Sequence, residues 1–360
     1  MRRNWSSADL EHNQLRRTDL HPTHNEASAD TKTPAPHSGA RARGLCPQAA
    51  PSRRHGPVAS RHAGSVSDST PDHFTVREAL EHGWSRGRLR THRWYRPTYG
   101  ARSRSAPADH ADRIAAVLTA IRDDAAVSCL SAAVLHGIPL PRPVRVDAPV
   151  HLMVPTGQRI RRDGVVAHVG LERREVVVRR GLRTISPVDT WVGLAAPGHL
   201  RTEDLVVAGD HLVRLQQGDR LEVLDAALER LAGTPGIREA REARRWIRRG
   251  SRSPRESAAR FAMTQWGLPE PELNVEVPDA QGIWLGEVDF VWREYWVVCE
   301  YDGEFHYDAE HLRRTLRRRE RFVEAGWCHL TLTRDDMRPD RRADWLRKLE
   351  RHLVDGGWRR

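Results

Sequence analysis

Lysine is almost absent from this 360-residue chain. Lys32 and Lys348 are the only two, although Lys+Arg total 59 against 48 Asp+Glu. The formal charge of +11 is therefore carried by arginine, and an excess of that size suits a polyanionic partner, nucleic acid first of all. A GC-rich genome produces the same skew from Lys to Arg, so the charge supports nucleic acid without proving it. Cysteine is scarce as well. Cys46, Cys129, Cys299 and Cys328 lie far apart with no C-x-x-C pair, which indicates neither a disulfide framework nor a structural zinc site. The 19 histidines are scattered and include no H-E-x-x-H. No apolar run reaches the roughly 18 residues of a membrane helix, and the polar, charged N-terminus is unlike a signal peptide. A cytoplasmic protein without membrane contact is expected. Hydrophobic residues make up only 39%, which is low for a chain that is compact throughout.

Residues 1–70 supply the reason: they are rich in Arg, His, Ser, Thr, Pro and Ala and have almost no apolar periodicity. Such a segment cannot bury enough surface to offset its chain entropy, so a disordered basic tail is expected. Either it is a passive extension, or it is an arm that touches DNA. Order is expected from residue 71. In 71–105 a short helix through Val76, Ala79 and Leu80 stops at Gly83. A second helix, Ser85 to Arg90, carries Arg86, Arg88 and Arg90, and Trp94 to Tyr99 reads as a β-ribbon. These are the parts of a winged helix-turn-helix, in which the second helix enters a DNA groove and arginines meet phosphates. The same residues also describe a small helical cap with solvated arginines. Residues 106–235 read as α+β: helices at 112–122 and 127–136, strands at 151–154, 164–169, 175–178 and 183–187, then helices. Asp210 and His211 read as a helix-terminal Asp and a satisfied His. Residues 236–252 are expected to form a basic connector helix, either a guide for DNA or an ordinary solvated linker.

The chemistry concentrates in 253–360. Ser253 caps a helix, with Pro254 in its first turn and Glu256 at the third position of a capping box. A strand at 273–277 follows. Then two β-branched and aromatic runs, Val288–Trp292 and Tyr295–Tyr301, read as a hairpin whose turn centres between Glu294 and Tyr295. Because strand side chains alternate faces, Glu300 and Asp302 point the same way, beside Asp289. Three carboxylates on one face repel one another unless a cation lies between them, and an all-oxygen set suits Mg²⁺. The other reading is an edge hairpin with solvent-facing acids. A helix over 308–324 with Leu312, Leu316, Phe322 and Val323 inward and an arginine belt, a strand at 327–333 and a last helix complete the order α-β-β-β-α-β-α. The overall class expected is α/β (α+β), with a mixed C-terminal sheet covered by helices.

Ser253-Pro-Arg-Glu-Ser257, Glu287-Val-Asp-Phe290, Glu300-Tyr-Asp-Gly-Glu-Phe-His306 and Gly326-Trp327 resemble, in this order, the Vsr-like branch of the PD-(D/E)XK endonucleases. That branch is related to the very short patch mismatch-repair enzymes. The resemblance covers roughly residues 251–355 and implies a restriction-endonuclease-like αβββαβ fold. It implies metal-dependent hydrolysis of a DNA phosphodiester. Asp289 and Glu300 would hold Mg²⁺ or Mn²⁺, with Asp302 a further ligand. Glu256 and His306 would orient or deprotonate water, and Arg318 and Arg319 would clamp the phosphate. Asp302 stands where many such nucleases carry Lys, which departs from the usual one-metal mechanism and leaves a rival reading: a non-catalytic DNA-binding regulator retaining the fold. Residues 72–215 resemble the AbiEi-type antitoxin region, on the basic helix and ribbon, Ser131-Ala-Ala-Val-Leu-His-Gly137 and Ser186-Pro187. The resemblance implies DNA as partner and raises a toxin–antitoxin or repair partner.

Overall fold

The computed structural model describes residues 71–215, 221–302 and 309–360. The expected tail at 1–70 and His306 lie outside them. The described chain is mixed α+β with three sheets. Strand β1 (His73–Thr75) leads through the Thr75 capping box into helix α1 (Val76–Glu81), and helix α2 (Arg86–Arg90) follows. Strand β2 (Ala101–Ser103) returns antiparallel to β1. Phe74, Trp84, Leu89 and Trp94 form the small core beneath these elements. The expected ribbon at Trp94–Tyr99 is not a strand. It contributes only the bridge Tyr95 to Ser103, because Pro97 offers no N–H to extend a ladder.

Helix α3 (His110–Leu118), strand β3 (Ala126–Val127) and helix α4 (Cys129–His136) come next, and α4 ends at Gly137 in a left-handed cap. Strands β4 (Val150–Val154), β5 (Val165–Val169), β6 (Val176–Arg179) and β7 (Leu182–Ile185) complete a five-stranded sheet of order β5-β4-β3-β7-β6. Helix α5 (Pro187–Leu194), α6 (Thr202–Leu215), α7 (Glu222–Arg230) and α8 (Ile237–Arg244) pack into an apolar cluster around Trp191, Leu205, Leu212 and Ile247.

The basic connector is helical only as far as Arg244. Beyond it, Ile247 is buried in a notch that a side chain at Gly209 would fill, since a Cβ there would lie 2.1 Å from Ile247 Cδ1. The Arg248 N–H donates to Asp210 Oδ1 at 2.8 Å. Burial of Ile247 and the grip of Asp210 pull the backbone off the helical path. Its arginines do not form a free stripe: Arg244 pairs with Asp225, Arg249 with Glu222 and Arg252 with Glu287.

Helix α9 (Pro254–Trp266) has Ser253 as N-cap and Gly267 as its left-handed stop. Strands β8 (Glu272–Pro278), β9 (Trp284–Trp292) and β10 (Val297–Asp302), helix α10 (Ala309–Glu324), strand β11 (Cys328–Thr333) and helix α11 (Arg342–Asp355) follow. This is the expected α-β-β-β-α-β-α order. The sheet runs β11-β10-β9-β8, with β8, β9 and β10 an antiparallel meander and β11 parallel to β10. One face carries Phe290, Cys299, Leu330 and Leu332 against α9 and α11, and the other carries Val291 and Val298 against Phe322 of α10. Leu316 and Val323, read as inward from periodicity, are about half exposed, at 49% and 55%.

Helix α9 also joins the two larger regions. Its Ala259 and Met263 sit in the C-terminal core, its Phe261 in the helical cluster. Arg260 is fully buried and donates to Asp210 Oδ2 at 2.9 Å and to the Trp246 carbonyl at 2.7 Å. Asp210 is therefore a buried ion-pair partner in mid-helix, not a helix-terminal residue. Among the described residues no helix is long and apolar enough to cross a membrane.

Candidate active site

The turn of the β9–β10 hairpin falls at Arg293–Tyr295, with Trp296 in the left-handed region, φ 55°. That centre sets the register Trp292 to Val297, Val291 to Val298 and Phe290 to Cys299. One step further, Asp289 reaches across the ladder and its Oδ2 accepts the Tyr301 N–H at 2.7 Å. Alternation then puts Asp289 and Glu300 on the α10 face, as the sequence suggests. Asp302 ends β10, half-buried opposite Thr333 of β11.

Each acid is held differently. Glu256 is buried, so it does not point to solvent, and it does not close the expected capping box by accepting from the Ser253 N–H. Its Oε2 accepts the Arg252 N–H at 2.9 Å and the Asn274 side-chain amide at 2.7 Å. Asn274 adopts φ 51°, and its amide also donates to the Gly250 carbonyl. Asparagine tolerates this left-handed backbone better than most residues, and here the conformation ties β8 to the start of α9. Glu300 is gripped by two side chains: Arg318 Nη2 lies 2.5 Å from Oε1, and His329 Nε2 lies 3.1 Å from Oε2. Arg318 comes from α10 and also donates to the Glu287 carbonyl. It lies flat over Gly286, where a Cβ would be 3.1 Å from its Nη2. Neighbouring Arg319 faces solvent, so the two arginines expected to act together are split.

Asp289 has no cation partner of its own. Burial, with Glu256 and Glu300 adding repulsion, pushes its carboxyl up to about 6, against the opposing pull of the Tyr301 N–H and Arg318. Among the described residues, no three of the four acids bring one carboxylate oxygen each within 4.8 Å of one another. Among the described residues, the one trio of Cys, His, Asp or Glu ligand atoms within 4.8 Å of one another is Cys129, His151 and His168. Physically, Arg318 and His329 draw Glu300 toward α10 and β11, while Asn274 and the Arg252 N–H draw Glu256 toward β8. The structure thus brings Glu256, Asp289, Glu300 and Arg318 into one electrostatic neighbourhood and leaves Arg319 outside it. It adds Arg252, Asn274 and His329, which sequence reasoning did not identify. Of these, only Asn274 left a trace in sequence, as an Asn inside an otherwise β-branched strand.

A second basic feature lies beside α2. A cleft of about 1170 Å³ is lined by Arg77, Arg86, Arg90, Arg96, Arg122 and Arg162 among others. Arg86 and Arg90 are exposed at its rim, whereas Arg88 turns back over the Trp84 ring at 3.8 Å.

No protein-family model and no solved structure matches the chain. Two proteins of Mycobacterium tuberculosis do match: Uncharacterized protein Rv2248 of strain H37Rv and Uncharacterized protein MT2308 of strain CDC 1551. Each is 30% identical over 233 residues, 63% of this chain and 81% of the relative. With that identity over that share of their length, the chain belongs to the family of these mycobacterial proteins.

Proposed function

We propose that the chain is a bacterial, cytoplasmic, metal-dependent DNA endonuclease of the Vsr-like PD-(D/E)XK kind, guided to DNA by its antitoxin-like N-terminal region. The observation that carries this reading is Asp289: a half-buried carboxylate on a central strand, facing two further acids, with its pKa near 6. Structural acids are normally paired or solvated, and a strongly shifted one in a cluster is a functional-site candidate. The α-β-β-β-α-β order supports the reading, with Glu256 on α9, Asp289 on β9 and Glu300 on β10.

The residues fit a hard divalent cation in donor type, since a cation would relieve the repulsion that raises Asp289. Asp289 and Glu300, with Asp302, would hold Mg²⁺ or Mn²⁺, and the ion would polarise the phosphodiester and acidify a bound water. The protein does the rest. The Asn274 amide fixes Glu256 to orient that water, and His306 is the candidate base. Asp302 offers no positive charge where a Lys is usual. Arg318 is the cation that reaches the acid face, and release of Glu300 would free its fork for the scissile phosphate. His329 steadies Glu300 from β11.

The second reading is a DNA-binding regulator of antitoxin type without cleavage. It is favoured by the arginine-lined cleft and by the Arg318 ion pair that already occupies Glu300. Nicking of supercoiled plasmid by the full chain in Mg²⁺ or Mn²⁺ separates the two. Asp289→Ala and Glu300→Ala are each expected to lower the rate by about 10²-fold or more. Nicking that survives both substitutions would refute the site. Salt-sensitive duplex binding with no cleavage in either metal would establish the regulator.

A further inference from the structure

The five-stranded sheet holds a second constellation, far in sequence from the carboxylates. His151 lies on β4 and His168 on β5, in parallel register with His151 opposite Val166 and Met153 opposite His168. Residues two apart on a strand share a face, so both imidazoles project from the same side of the sheet. His151 Nδ1 and His168 Nε2 are 3.1 Å apart, and the rings stack with centroids 5.3 Å apart. Cys129 opens α4 directly after β3, where the Ser128 N–H donates to the His151 carbonyl at 3.0 Å. That bond delivers the thiol to the imidazole pair, and one ligand atom from each of the three residues lies within 4.8 Å of the other two. His199, in the segment between α5 and α6, stands alongside with its ring 5.6 Å from that of His151 and 6.2 Å from that of His168.

Two observations set the group apart from ordinary core packing. Cys129 holds φ 46°, a left-handed backbone at the first residue of a helix, and Ser128 makes no side-chain cap bond there. Its Oγ is buried without a hydrogen-bond partner. Such strain persists only where the surroundings enforce it, and it clusters at functional sites. Moreover, His151 and Cys129 are both buried, yet among the described residues no carboxylate pairs with either.

We propose that Cys129, His151 and His168 bind one Zn²⁺, with His199 beside the fourth corner of the tetrahedron. Sulfur and imidazole donors select zinc over the hard cations suited to the carboxylate face. Binding exchanges the Cys129 thiol proton for the S–Zn bond and passes that proton to solvent. The ion would tie the first turn of α4 to the edge strand β5. The site stands on a different sheet from Asp289 and does not depend on the nuclease reading.

The test is zinc content and cobalt spectroscopy of the untagged full chain. One equivalent of zinc is expected to survive dialysis, and the Co²⁺ form is expected to show thiolate-to-metal charge transfer in the near ultraviolet. Cys129→Ser should abolish that band, and His168→Gln, on the exposed edge strand where misfolding is less of a concern, should weaken zinc affinity by about 10²-fold. Far-ultraviolet circular dichroism confirms that the variants are folded. If the full chain competes for no zinc against a chelator, or if folded Cys129→Ser and His168→Gln hold zinc as tightly as the parent, the proposal is wrong.

Discussion

The two larger sheets gather opposite chemistries. The five-stranded sheet gathers imidazoles and a thiol, which burial leaves neutral at pH 7, while the four-stranded sheet gathers carboxylates, which burial penalises. Between them lies a third arrangement, the Asp210–Arg260 pair, in which the buried acid has its cation. Against Asp210, Asp289 stands out as an acid whose cation the fold has not supplied. The lesson is that neighbours, more than burial, separate a structural carboxylate from a candidate catalytic one.

Removing the partner from the completed pair should give the largest change. Asp210→Ala strands the guanidinium of Arg260 in the interior, and a loss on the order of 3 kcal/mol is expected in urea unfolding. A loss below about 1 kcal/mol would mean that the pair is not the clasp between the two cores.

Asp289→Asn should move the other way. A carboxyl whose folded pKa lies above its unfolded value binds more protons folded than unfolded. Its contribution therefore favours folding at low pH and is lost as pH rises from about 4 to about 6. The amide can keep its oxygen on the Tyr301 N–H, so the variant should match the parent near pH 4 and exceed it above pH 6, by about 1 kcal/mol after discounting for solvent. Equal stability at pH 7 would show Asp289 to be an ordinary surface acid.

The smallest effect concerns the basic cleft. Arg86→Ala with Arg90→Ala should lower the slope of log affinity for duplex DNA against log salt by about two, one per phosphate contact. An unchanged slope would assign these arginines to solvent.

Much of the fold was legible because it is locally encoded. Ser253 and Pro254 mark the start of α9, Gly137 and Gly267 stop their helices, and the interrupted apolar run located the hairpin turn and with it the pairing of β9 and β10. What was not legible depends on partners distant in sequence. The clasp on Glu300 needs β11 laid parallel to β10, which brings His329 to it from 29 residues away. The Cys129, His151 and His168 cluster follows no motif spacing, since two strand registers and a helix start assemble it. The bend after Arg244 was hidden for the same reason: Arg-rich periodicity favours helix, and only the buried Ile247 and the Asp210 bond override it. Helix α10 shows the converse failure, in which Leu316 and Val323 fit an apolar stripe yet remain about half exposed.

The most direct test of the central claim is a calorimetric titration of Mn²⁺ into the full chain at pH 6, in buffers of different ionisation heat. If the acid face is a cation site, binding should saturate and release a fraction of a proton, because Asp289 is partly protonated there. Both the binding and the proton release should vanish in Asp289→Asn. An isotherm unchanged by that substitution, or no saturable binding at all, would contradict the account.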